Sequence, residues 1–187
     1  QDYPSCLITE WIIVEGSKNE EDATQSKENI EKMAQDLAQV FTQDMINVYS
    51  ITKFIDDYMI ITHLNQLITI KYISYDPNRC LSDHRNIGND NVSDKSDIIV
   101  CMDDDDYYQD CYISHIVSKL SSSQKQIAGC SGAFMYQYEF NQLYKFKSFG
   151  PNHSTNNCLA YTSNYLKSHR YQSGLHFAEE TSFTNGF

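Results

Sequence analysis

The run Ser96-Asp97-Ile98-Ile99-Val100-Cys101-Met102-Asp103-Asp104-Asp105-Asp106-Tyr107-Tyr108 constrains the chain more than any other, because an apolar, β-branched stretch stops abruptly in four aspartates. Such a run, short and nearly free of polar residues, has the pattern of a strand buried on both faces of a parallel sheet. Residues 98–102 are therefore expected to form a central strand. In open α/β sheets ligands bind beyond the carboxyl ends of the strands, so aspartates there would face a site. Four adjacent carboxylates repel one another and call for compensating positive charge. A hard divalent cation, Mg2+ or Mn2+, takes oxygen ligands and leaves positions open for substrate phosphates. A solvated acidic turn would carry the same residues.

Composition narrows the classes. A chain of 187 residues fits one domain with a sizeable core. With 41% hydrophobic residues, 14 Tyr and 9 Phe, it can bury enough apolar surface to fold. A net charge of -11, with its 14 Lys and Arg scattered, argues against nucleic acid or an anionic membrane as partner. An anionic substrate would need a metal or a local basic pocket. The six cysteines show neither a C-x-x-C pair nor a zinc-like Cys/His spacing, and Cys101 and Cys130, inside apolar runs, are expected as reduced core residues. Six histidines likewise form no metal spacing. No stretch has membrane-spanning length and no basic leader opens the chain, which predicts a cytoplasmic protein.

In chain order, Glu10-Trp11-Ile12-Ile13-Val14-Glu15 reads as a buried strand ending in an acid, followed by Gly16-Ser17. Glu15 is either a site acid or a simple loop acid. Ser26 is expected to cap a helix whose apolar positions Ile30, Met33, Ala34, Leu37, Val40 and Phe41 share one face. Residues 48–64 are open between strand and helix. Residues 68–74 read as a strand broken by Asp76-Pro77-Asn78, and Ser82 opens a helix carrying Asp83, His84, Arg85 and Asn86. This alternation of strand and helix predicts a doubly wound or related α/β pattern. Beyond the aspartates, Asp110 is expected to cap a helix with Ile113, Ile116, Val117 and Leu120 on one face. Gly129 and Gly132 suggest close approach of a backbone or ligand. Two alternating segments separated by Asn141-Gln142 read as a hairpin, whose aromatics are expected to form its core, although they could also stack on sugar rings. Asn152, His153, Ser154 and Thr155 form a polar loop suited to a hydroxyl-rich ligand or simply to solvent. Thr162 can cap a short helix, and Glu179-Glu180 then bring two carboxylates beside aromatic residues.

An acid after an early strand, an acidic cluster after a later one and a second acidic pair can divide labour: one group holds metal and diphosphate, another serves as base. In this respect the chain resembles the family 2 glycosyltransferases of the GT-A fold, and in wording those encoded by large DNA viruses. The resemblance rests on Glu10 to Ser17, on Arg85-Asn86-Ile87-Gly88, on the stretch from Asp97 to Asp106, and on Ala178-Glu179-Glu180.

It implies a GT-A-like, Rossmann-like α/β fold: a mixed central sheet flanked by helices, with a small antiparallel hairpin portion. It implies a single domain over residues 1–187 that lacks the family's first strand, with residues 18–66 an insertion. By the same resemblance Asp103 and Asp105 take the D-x-D positions. Asp105 and Asp106 would ligate Mn2+ or Mg2+, and Asp103 would lie near the ribose or the metal. Asp104, Arg85 and Asn86 would lie close to the nucleotide and Glu15 near its base. Glu180, beside Glu179, would deprotonate the acceptor. The implied reaction is inverting transfer of a sugar from a nucleotide-diphosphate donor, UDP-sugar foremost, to a glycan or glycoprotein hydroxyl, in the host cytoplasm if the protein is viral. Two other classes stay open: a binding module of the same ancestry without turnover, and a nucleotidyltransferase-like enzyme that would release pyrophosphate.

Overall fold

A computed structural model describes residues 4, 7–16, 20–41, 49–55, 58–64, 69–75, 79–148, 150 and 152–184. Ser17 and the break at Asp76-Pro77-Asn78 lie outside these residues. The protein is a mixed α/β structure, and its chain forms two compact units, one of Pro4–Ser96 and Tyr171–Phe177, the other of Asp97–Arg170 and the segment from Ala178.

In the first unit, β1 (Glu10–Glu15), α1 (Glu20–Phe41), β2 (Tyr49–Ile55), β3 (Tyr58–Leu64), β4 (Thr69–Tyr75) and α2 (Leu81–Asp90) follow one another. The sheet has the order β1-β4-β3-β2, with β1 and β4 parallel and the other pairs antiparallel. Both faces of strand β4 are covered. Ile70 packs with Ile8, Ile13, Ile30 and Met33 on the α1 side. Ile73 packs with Ile12, Val14 and Ile87 on the α2 side. Three layers result, the arrangement that the alternation of one-residue steps along β1 and β4 demands. Residues 48–64, which as sequence could be strand or helix, supply the antiparallel pair β2 and β3.

Helix α1 begins at Glu20, six residues before the expected cap, and Ser26 lies inside it. Its hydroxyl donates instead to Glu15 Oε1 at 2.7 Å, so the residue fastens the helix to the end of β1.

The second unit holds β5 (Ile98–Val100), α3 (Tyr112–Ser122), β6 (Ile127–Ala128), β7 (Phe134–Gln137), β8 (Gln142–Lys145), β9 (Ala160–Thr162), α4 (Ser163–Leu166) and α5 (Glu179–Phe183). Its main sheet is antiparallel in the order β5-β9-β6. The aspartate strand is thus an edge strand among the described residues, and its side chains are half-buried, where a central parallel strand was expected. A short apolar run cannot by itself distinguish burial on two faces from burial on one face under a helix. Here α3 covers one face, with Ile116 and Leu120 against Ala160, Ile98, Val100 and Ala128.

Cys111, rather than Asp110, precedes α3. Thr162 caps α4 as expected, its hydroxyl accepting from Tyr165 N–H at 3.2 Å. Cys101 is half-buried and Cys130 exposed, so Cys130 is not a core residue. Strands β7 and β8 form the expected hairpin.

Candidate functional site

The site is built in the second unit around the carboxyl end of β5. There the chain turns through Asp103-Asp104-Asp105-Asp106, with Asp103 half-buried and the other three carboxylates exposed. Exposure lets them share space without desolvation. What fixes the turn is Tyr108: Asp103 N–H donates to its hydroxyl at 2.8 Å, and the hydroxyl donates to the Asn157 carbonyl at 3.0 Å. Burial, and then the nearby charges of Asp103 and Asp106, push the Tyr108 phenol well above its ordinary range, so it stays protonated and can donate. Tyr112, the first residue of α3, sets its ring 4.8 Å from that of Tyr108 and donates to the Cys101 carbonyl at 3.1 Å.

Residues 152–158 form the opposite wall. The Asn157 side-chain amide donates to Asp106 Oδ2. Its Oδ1 is buried and has no hydrogen-bond partner among the described residues. Ser154 pins this loop, because its hydroxyl accepts from Cys130 N–H at 3.0 Å and lies 3.2 Å from the Cys130 carbonyl. Gly129 makes that approach possible: a β-carbon there would stand 2.1 Å from Ser154 Oγ. The close approach foreseen for Gly129 is therefore real and its partner is a side chain, whereas a β-carbon at Gly132 would meet nothing within 4 Å.

The same loop reaches the second acidic pair. His153 Nε2 lies 3.7 Å from Glu180 Oε1. Glu180 is half-buried at the start of α5, while Glu179 is buried, at 3% exposure. A five-residue helix has little stability of its own. This one is held by Phe183, fully buried against Tyr161 and Tyr165 with ring centroids at 4.8 and 5.4 Å. Tyr165 also donates to the Phe183 carbonyl at 3.0 Å, and its ring stacks on His169 at 3.7 Å. Ala178, just before the helix, takes a left-handed backbone at φ 51°, which turns the chain into α5.

No known protein family, curated protein or solved structure matches this chain.

Of the residues singled out in the sequence, Asp103 to Asp106, Asn152 to Thr155, Glu179 and Glu180 all belong to this unit, and Asn157 and His153 tie its two acidic groups to one loop. Glu15, Arg85 and Asn86 belong to the other unit. Glu15 accepts from Ser26 and, at 2.8 Å, from Tyr72, whose phenol is pushed up by burial and by that carboxylate. Asn86 is buried, and its amide makes a paired contact with the Tyr171 backbone, at 2.9 Å to the carbonyl and 3.1 Å from the N–H. This contact explains the residue without a ligand: it seats the segment Tyr171–Phe177 on α2. Arg85 is half-buried beside His84, whose pKa is lowered by burial and by the Arg85 charge.

Tyr108, Tyr112, Asn157 and Phe183 carry the geometry yet were not among the site residues read from sequence. The nearness of Tyr108 to the acids was the one local signal for them. Among the described residues no three His, Cys, Asp or Glu side chains converge as metal ligands.

Proposed function

We propose that the chain is a metal-dependent glycosyltransferase that moves a sugar from a nucleotide-diphosphate donor, a UDP-sugar foremost, to an acceptor hydroxyl with inversion. The observation that carries this reading is the single loop that contacts Asp106 through Asn157 and Glu180 through His153. An acidic group for the donor and a separate carboxylate for the acceptor are what such a transfer needs.

The acidic turn offers oxygen donors alone, which suits a hard cation, and one or two of Asp103, Asp105 and Asp106 would hold it, with the donor's phosphates supplying further oxygens. Bound there, Mn2+ or Mg2+ would neutralise charge building on the leaving diphosphate. The chain's own residues do the rest. Tyr108 and Asn157 keep the turn in one conformation, so its carboxylates need little reorganisation. Glu180 takes the acceptor proton as the acceptor oxygen forms its bond to the sugar and the bond to the diphosphate breaks. His153 orients that carboxylate. The unpaired Asn157 Oδ1 supports a hydroxyl-rich ligand, since a buried acceptor without a donor costs about 1–3 kcal/mol.

A second reading, a binding module without turnover, is favoured by the lack of three converged ligand side chains among the described residues. Calorimetric titration of nucleoside diphosphates, UDP first, with and without Mn2+, on this chain and on Asp105→Ala, tests the donor site. Metal-dependent binding that Asp105→Ala abolishes supports it, and its absence in folded protein overturns it. Product analysis with candidate acceptors then separates the classes: glycosylated product lost in Glu180→Gln means transfer, pyrophosphate means nucleotidyl transfer, and binding without product means the module.

A further inference from the structure

The aromatics of the β7–β8 hairpin were expected to form a core, and they do not. Phe134, Tyr136, Tyr138, Phe140 and Leu143 are between 44% and 87% exposed. The register pairs Phe134 with Lys145 and Tyr136 with Leu143, which puts these four on one face. Phe146 N–H donates to the Ala133 carbonyl at 2.9 Å, so in this antiparallel ladder the Phe134–Lys145 pair is the closely spaced, non-hydrogen-bonded kind. Consistently, Lys145 Nζ lies 5.5 Å from the centre of the Phe134 ring. Tyr138 joins the face from the turn, its ring edge-on to Tyr136 at 4.9 Å. Asn141, in left-handed conformation at φ 50°, closes the turn.

A two-stranded hairpin is marginal in water unless a second layer packs on it. Here both strands are exposed almost throughout, so that layer is missing. Phe134, Tyr136, Tyr138 and Leu143 together present on the order of 600 Å² to solvent, at the upper end of what monomers tolerate in one patch. Two such faces would bury roughly 1,200 Å² in total, where stable specific interfaces begin. That area is what a second copy offers in return. Lys145 stands at the open end of the hairpin and the exposed Glu139 lies in its turn beside Tyr138, so this face is mixed in charge although the whole chain carries -11.

We propose that this hairpin face is a self-association surface, on which a second copy packs its own Phe134, Tyr136, Tyr138 and Leu143 about a two-fold axis. The contact is isologous, so each hairpin supplies the other's missing layer. The inference stands apart from the proposed catalysis.

Sedimentation velocity of the whole chain from about 1 to roughly 100 μM tests it, because a dimer must grow in by mass action. The expected result is a monomer–dimer equilibrium for the wild type. Leu143→Glu and Tyr138→Glu should each weaken it at least about tenfold, with unchanged far-UV circular dichroism. Both side chains are exposed, so neither substitution disturbs a core. Phe177→Glu, an exposed aromatic in the other unit, should leave it unchanged. A wild type that stays monomeric throughout, or hairpin variants that dimerise like the wild type, overturns the proposal. A monomer that instead co-floats with phosphatidylcholine vesicles, or is retained on an immobilised oligosaccharide, overturns it in favour of that occupant.

Discussion

The Tyr108 hydroxyl accepts from Asp103 and donates to Asn157, and so holds an acidic turn against a loop 49 residues away. Removing the hydroxyl leaves the part-buried Asp103 N–H without this partner and the Asn157 carbonyl with the Tyr112 hydroxyl alone, 3.5 Å away. Tyr108→Phe should cost about 1–2 kcal/mol in thermal unfolding and speed amide exchange at Asp103. Glu10 offers a pH test. Burial raises its carboxyl, but hydrogen bonds from Lys71 at 2.7 Å, Ser93 N–H and Ser96 outweigh burial and hold it below its ordinary value. A depressed folded-state pKa gives stability that is present above the unfolded-state value, near 4.3 for glutamate, and is lost as the pH falls through the folded value. Glu10→Gln should therefore lower stability at pH 7 by about 1–3 kcal/mol and flatten acid unfolding in the region below pH ~4.3. The carboxylates were legible in the sequence because charge stands out where an apolar run ends. Tyr108 and Asn157 were not, because their roles depend on hydrogen bonds that only the tertiary fold brings together.

At the scale of elements, α5 is a short helix that carries the second acidic pair. Five residues cannot stay helical without an anchor, and Phe183 is that anchor. Phe183→Ala should cost about 3–5 kcal/mol. In nuclear magnetic resonance spectra it should also remove the through-space signals between His153 and Glu180 while leaving those of β1 and β4 in place. Strands β1 and β4, helices α2 and α3 and the hairpin were legible because period-two and helical apolar spacing act locally. The position of β5 was not, since edge and centre, parallel and antiparallel, differ by neighbours that a three-residue strand does not specify. The start of α1 was hidden because Ser26 looks like a cap, whereas its hydroxyl is used by Glu15 across the sheet. The hairpin misled in another way: alternation predicted its strands correctly but said nothing about whether a layer covers them.

For the whole molecule, charge and loop connectivity matter most. A net charge of -11 makes the folded chain repel itself, and screening relieves that. Raising sodium chloride from about 0.01 to 0.15 M shortens the Debye length from about 30 to 8 Å, so the melting temperature at pH 7 should rise by a few degrees. A decrease would mean that the half-buried Lys71–Glu10 pair and its like dominate over the net field. Residues 153–157 add a consequence for ligands. One end of this stretch holds Asp106 and the other meets Glu180, so a single short loop touches both acidic groups. For the donor and acceptor proposed above, whatever effect the first has on binding of the second through this stretch, thermodynamic reciprocity requires the second to have equally on the first, so the sign can be measured from either side.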